Sequence, residues 1–204
     1  MTGSPHASLL ALNCGSSSIK FALFTPEFER VFSGLVEAVG HGQTPRLKTS
    51  AGEKKEFGDA DQGHADVLPR LISDIILPRA GAISGVGHRI VHGGERFRAP
   101  VRIDPEVRSG IAALTPLAPG HQPHNLAGID AAMQALPGIP QIACFDTAFH
   151  AGLPAVRREM ALPRSYARDG LLRYGFHGLS YEHVAARLAG LELSGKRVIA
   201  CHLG

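Results

Sequence analysis

The sequence predicts an α/β fold, and three observations carry that reading. Two short apolar runs, residues 8–12 and 19–24, flank a polar Gly/Ser tip and read as a β-hairpin. Across residues 65–77, Val67, Leu68, Leu71, Ile72, Ile75 and Ile76 recur at helical spacing. A third run, residues 141–145 (QIACF), is short, apolar and followed at once by Asp146, as expected of a buried strand. Strands and helices that mix in this way along one chain build α/β layers.

The remaining elements follow in order. Residues 1–7 read as a loose tail. Residues 29–36 and 46–49 extend the hairpin into an antiparallel meander, and the polar stretch 50–63 reads as a surface loop or short ribbon. The helix at 65–77 is expected to stop near Pro78, which lacks the N–H that continues a helix. Residues 86–91 form a strand that ends at Gly93-Gly94. Asp104-Pro105 starts a helix running to about residue 114, with Asp as N-cap and Pro in the first turn. Pro123-His124-Asn125 opens another, running to about residue 136. Residues 181–188 read as helix and 196–201 (KRVIAC) as a strand, with His202-Leu203-Gly204 beyond it. A fresh strand and a glycine turn are a poor place for a domain to stop, so a truncated chain is expected.

Bulk properties narrow the function. The 204 residues suit one large domain, or one domain plus part of another. With 44% apolar and 19% charged residues the composition is that of an ordinary globular protein. The formal charge of +3, without a Lys/Arg run, leaves no footprint for nucleic acid or an anionic membrane. The three cysteines, Cys14, Cys144 and Cys201, match no zinc or disulfide spacing. They read as reduced, small core residues, and the compartment as cytoplasmic. No signal peptide or bilayer-length apolar run stands out.

Five segments carry chemistry. In residues 13–20 (NCGSSSIK), a Gly/Ser turn exposes N–H groups and hydroxyls that suit phosphate oxygens, notably at Ser16 and Ser18. Lys20 reaches back as a point charge, and the Asn13 oxygen suits hydrated Mg²⁺. The spacing is not that of a Walker loop, and taken alone the tip reads more readily as a plain hairpin turn. In residues 87–94 (GHRIVHGG), Arg89 is either a bidentate partner for a carboxylate or phosphoryl oxygen, or an arginine paired with Asp or Glu. In residues 117–128 (LAPGHQPHNLAG), His121 and His124 gather at a helix start, which favours an anion, metal ligation with no third ligand in view, or simple capping. In residues 144–150 (CFDTAFH), Asp146 follows a buried strand, where α/β enzymes place catalytic groups and where turn aspartates also occur. In residues 173–178 (RYGFHG), glycines on both sides let His177 project from a tight loop.

Together, and in this order, these segments resemble the acetate kinase (acetokinase) family, a branch of the actin/Hsp70/sugar-kinase superfamily. The resemblance runs from about residue 9 to 204, through LNCGSSSIKF, GHRIVHGG, LAP-H-PHN, FDTAFH, RYGFHG and an opening HLG. It implies an RNase H-like fold: a first domain in residues 1–149 for the acyl substrate and phosphate, then the start of a nucleotide-binding second domain in 150–204. It implies reversible, Mg²⁺- or Mn²⁺-dependent transfer from ATP to acetate, giving ADP and acetyl phosphate, in an enzyme that is a homodimer when full length. By the same resemblance Asp146, His177 and His121 are catalytic, and Arg89, Val91 and Phe176 bind the acyl substrate. Asn13 binds metal, while Lys20, Ser16, Ser18, His202, Leu203 and Gly204 contact ATP. A related sugar kinase or ATPase would lack GHRIVHGG and FDTAFH; a non-catalytic binding module is the other alternative.

The departures from the family pattern matter for specificity. Gly120 stands where the family carries a bulky apolar residue, Gln122 where it carries Asn, and Leu179 and Tyr181 where it tends to carry Thr and His. A widened acyl pocket is expected from Gly120, and with it acceptance of propionate or other short-chain acids. Family members are also considerably longer, so little activity and weak nucleotide affinity are expected of this chain alone.

Overall fold

The computed structural model describes residues 7–191, 193 and 196–203. Its centre is an eight-stranded sheet: β1 (Ala7–Cys14), β2 (Ser18–Phe24), β3 (Arg30–Glu37), β4 (Arg46–Thr49), β5 (Lys54–Glu56), β6 (Ala82–Ile90), β7 (Val101–Arg102) and β8 (Gln141–Phe145). The spatial order is β5-β4-β3-β2-β1-β6-β8-β7. The first five strands form the expected antiparallel meander, with 50–63 supplying the short ribbon β5. β1, β6 and β8 run parallel, and β7 is an antiparallel edge. The helices between them cross over to the sheet's covered face.

Period-two alternation decides what each face carries. Leu10, Leu12 and Cys14 of β1 and Ile19, Phe21 and Leu23 of β2 are buried. They meet Val67, Leu68 and Leu71 of helix α1 (His64–Leu71) and Ala131 and Ala132 of a helix described below. A second part of the core surrounds Phe145, whose ring stacks on Phe97 at 5.0 Å, with Ile90, Ile111 and Ile129. Fully burying one such side chain stabilises the fold by about 1.5–3 kcal/mol. On the opposite face Ala11 and Phe28 remain exposed.

Pro78 does not stop the first helix. After α1 the chain widens into a π-helical turn, Ile72–Ile76, and continues as α2 (Leu77–Ala80), with Pro78 in its first turn. The Leu77 N–H donates to the Ile72 carbonyl, five residues back. A proline ring clashes with the carbonyl four residues before it, and a π-turn there relieves the clash. Helix α3 (Pro105–Ala113) starts as expected, with the Asp104 carboxylate accepting from the Val107 N–H at 2.8 Å. Helix α4 (Gln122–Ala135) packs on α1, β1 and β6. Two short helices, α5 (Ala155–Arg158) and α6 (Arg164–Arg168), each follow a proline, and α7 (Gly178–Ala189) begins three residues before the expected start.

The expected strand at 196–201 is absent, because strand residues need a ladder partner. Residues 197–203 have no regular structure; Val198 and Ile199 are exposed. Cys201 is exposed as well, so it is not a core residue, whereas Cys14 is buried and its thiol is pushed up to about 12 by burial. No described helix is long and apolar enough to cross a membrane.

Three buried histidines make the fold sensitive to acid. Burial lowers the pKa of His64, His88 and His92 below the ordinary 6.5. His88 is 2% exposed, with Nε2 2.7 Å from Gln141 Oε1. The unfolded chain therefore binds protons first as pH falls, and stability present above 6.5 is lost below it. Urea titrations at about pH 7.5 and 5.5, either side of the ordinary histidine range, should show a lower midpoint at the acid value; equal midpoints would contradict this.

Candidate active site

Sheet register brings the first site residues together. In β1 the core-facing Leu12 and Cys14 bracket Asn13, which faces the open side opposite Lys20 of β2. Leu12 pairs with His88 across β1–β6, so Asn13 lies beside Arg89. Arg89 pairs with Cys144 of β8, and Asp146 follows that strand by one residue. The C-terminal ends of three parallel strands thus converge, as in open α/β sheets that bind ligands at this edge.

Arg89 and Asp146 form an ion pair at the centre. Arg89 Nη2 donates to Asp146 Oδ2 at 2.6 Å, and Nε lies 3.1–3.2 Å from the two carboxylate oxygens. Asp146 is 1% exposed, while about a third of the Arg89 side chain stays open. Arg89 Nη1 donates to Asn13 Oδ1 at 3.5 Å, and Nη2 also lies 3.4 Å from His177 Nδ1. Such a fork holds a carboxylate in one orientation and leaves other N–H groups for an incoming anion. The backbone fixes Asp146 as well: its N–H donates to Ile90 O at 2.9 Å, and its carbonyl accepts from Gly178 N–H at 2.8 Å. A Cβ at Gly178 would collide with that same carbonyl, so only glycine allows the approach.

That contact also places His177. It sits in the left-handed region, φ 54° and ψ 25°, as the residue before α7. A non-glycine residue there is held by its surroundings at a cost of about 1 kcal/mol or more. Its ring stacks on His202 at 4.2 Å.

The turn after β1 forms the other wall. Gly15 N–H donates to Ser18 O at 2.8 Å and closes the tip. Asn125 of α4, 4% exposed, ties this wall to β6: its Nδ2 donates to Cys14 O at 2.8 Å and its Oδ1 accepts from Val91 N–H at 3.0 Å. Between the walls lies an open cleft of about 500 Å³. Asn13, Ser16, Ser18 and Lys20 line it on one side, with Arg89, Asp146 and His177 across from them. Val91, Leu117, Ala118, His121 and Phe176 complete it with a largely apolar end. His121 immediately precedes α4.

Not every expected residue reaches the cleft. His202 joins through its stack on His177; Leu203 is 91% exposed and contributes no lining, and Gly204 lies outside the described residues. Gly120 does not line the cleft, and a Cβ there would meet open space. Gln122 is turned into the core, where its Nε2 donates to His92 O at 3.0 Å and Ile111 O at 3.2 Å. Sequence reasoning singled out neither Asn125 as a tie between strand ends nor Leu117 and Ala118 as lining. An Asn inside a helix start, where its propensity is poor, was the available signal for the first.

Known proteins resemble this chain over most of its length. The sequence model of the acetokinase family matches residues 8–204. An acetate kinase of Rhodopseudomonas palustris is 44% identical over 208 residues, covering 96% of this chain and 52% of that protein. A propionate kinase structure from Francisella tularensis superposes with a TM-score of 0.81 at 34% identity, covering 90% of this chain and 48% of that one. The acetate kinase structure of Porphyromonas gingivalis gives 0.77 at 39%, covering 91% and 50%. The chain spans about half the length of the curated relatives it matches. Its mixed sheet has the actin/Hsp70/sugar-kinase-like fold seen in those neighbours. On the match across residues 8–204, the chain belongs to the acetokinase family.

Proposed function

We propose that this chain supplies the acyl- and phosphate-binding half of an enzyme that moves the γ-phosphoryl group of ATP to acetate, reversibly, giving acetyl phosphate. The observation that carries the reading is the Arg89–Asp146 pair, set between the Gly/Ser turn and the apolar pocket end. The relatives' names supply acetate and propionate as the acids. Residues 1–149 act as the acyl/phosphate domain and 150–204 begin the nucleotide domain. In this reading the chain alone turns over little, and the completed enzyme is a cytoplasmic homodimer.

The chemistry follows from charge. An acid with a pKa of about 4–5 is already ionised at neutral pH, so the nucleophile needs no base. A carboxylate oxygen attacks the γ-phosphorus in line; the new O–P bond forms as the bond to the β-phosphate oxygen breaks, and that electron pair leaves with ADP. Arg89 and His177 face the three equatorial oxygens, over which charge spreads in the transition state. Lys20 and the Ser16 and Ser18 hydroxyls hold the other phosphates, and Val91 and Phe176 take the acid's alkyl end. His121 closes the site beside them.

Among the described residues no group of three or more His, Cys, Asp or Glu side chains gathers to hold a metal; Asn13 Oδ1 and the Asp146 carboxylate, which both face Arg89, are the cleft oxygens that would hold a divalent cation. One amide and one carboxylate suit Mg²⁺, which keeps most of its waters and takes further ligands from phosphates. When bound, Mg²⁺ would neutralise phosphate charge. Asp146 would help hold it while keeping Arg89 in place.

A coupled assay tests this in the chain completed with the second half of a full-length relative, using acetate, propionate and butyrate. Mg²⁺-dependent turnover of acetate and propionate is expected. One methylene is worth about 1–3 kcal/mol of discrimination, so both acids are expected to turn over at rates that differ by about ten- to two-hundredfold at most. No turnover with any of the three acids would contradict the assignment.

A further inference from the structure

We infer that His64 is a positioning residue for the phosphate turn: it holds the Gly15 carbonyl and thereby aims the Ser16 N–H into the cleft as a ready donor to a phosphate oxygen. The inference deepens the nucleotide reading and rests on it for the identity of the ligand.

The geometry is specific. His64, the first residue of α1, is 5% exposed, and its Nε2 lies 2.8 Å from the Gly15 carbonyl oxygen, 49 residues away in sequence. A carbonyl only accepts, so Nε2 carries the proton and donates. A trans peptide is planar, with its C=O and N–H pointing in opposite directions. Fixing the Gly15 carbonyl toward His64 therefore turns the Ser16 N–H the other way. Ser16 lines the cleft and His64 does not. Among the described residues the Ser16 N–H has no backbone partner, whereas its neighbour Gly15 N–H is consumed by Ser18 O.

The preceding peptide is held in the same manner. Asn125 Nδ2 donates to Cys14 O at 2.8 Å, so two consecutive carbonyls of the turn are drawn inward by buried side chains from two different helices. Each donor is a buried polar group that its bond to the turn satisfies, so each can stay buried at little cost only while it holds that carbonyl. His64 also lies against the ring of His124, 5.3 Å between centroids, and its pKa is lowered by burial. A neutral ring fits this role, since what it contributes is direction rather than charge.

The test uses the ¹⁵N-labelled chain, completed with the second half of a full-length relative, as wild type, His64→Gln, His64→Asn and His64→Ala. A Gln amide nitrogen reaches the place of Nε2; that of Asn falls short, near Nδ1. Residual dipolar couplings read the orientation of the Ser16 N–H without ligand, a Mg·ATP titration reads affinity, and thermal unfolding reads the fold. Expected are a reoriented Ser16 N–H and about tenfold weaker Mg·ATP in the Asn and Ala variants, the loss of roughly one hydrogen bond. The Gln variant restores both. A Ser16 orientation and affinity unchanged in His64→Asn would overturn the inference, as would His64→Gln behaving like His64→Asn at equal thermal stability. A wild-type turn that Mg·ATP does not perturb would count against the nucleotide reading, while the couplings would still decide whether His64 sets the peptide.

Discussion

Replacing Arg89 with methionine is expected to lower the free energy of unfolding by about 3 kcal/mol, the scale for stranding one partner of a buried pair. The Asp146 side chain is 2% exposed, and Arg89 is its only side-chain partner among the described residues. Methionine keeps much of the volume of the arginine stem and none of its charge or donors. The carboxylate is then left buried without a counter-ion, where its loss of hydration is not offset. Arg89 is partly open to solvent, which places the cost at the lower end of the buried range rather than the upper. Urea denaturation near neutral pH reads the loss directly. Adding Asp146→Asn to the Arg89→Met chain should recover part of it, because a neutral amide tolerates burial better than an unpaired carboxylate. A loss below about 0.5 kcal/mol would mean that solvent screens the pair as it does a surface salt bridge.

What the sequence could reveal of this site was its chemistry, and what it could not was its pairing. The hairpin was legible because strand residues alternate and a Gly/Ser tip interrupts them; the structure keeps both features in β1 and β2. The strand before Asp146 was legible for a similar reason, as a short apolar run with a carboxylate at its end. Of the two readings of Arg89, the structure shows the partner of an acid: it is paired with Asp146, inside the cleft. Nothing local could show this, because 57 residues separate them and the parallel β6–β8 register brings them together.

Other misses have equally physical causes. Pro78 signalled a helix stop on local grounds, but a π-turn absorbed its steric demand, and the buried Ile72 and Ile76 kept the helix on the sheet. KRVIAC has strand composition, yet a strand is a relation between two segments, and no described segment pairs with it. Gly120 marked a departure from the family pattern, but the side chain it lacks would meet open space. His64 carried no signal at all, since its role depends on a carbonyl 49 residues away.

The largest effect on function is expected at Asp146. Asparagine keeps the shape of this side chain and removes its charge. In the proposed site that change frees the Arg89 fork and takes away the carboxylate beside Asn13, so the group aimed at the transferring phosphoryl loses its orientation. Losing one preorganised electrostatic element of this kind costs about a hundred- to a thousandfold in rate. The measurement is acetyl phosphate formation, trapped as hydroxamate across a Mg²⁺ series, in the completed chain and in its Asp146→Asn variant. A fall in kcat of about a thousandfold, together with a raised Mg²⁺ requirement, is expected. A folded Asp146→Asn enzyme that keeps its rate, or loses it with its Mg²⁺ dependence unchanged, would contradict the role assigned to Asp146.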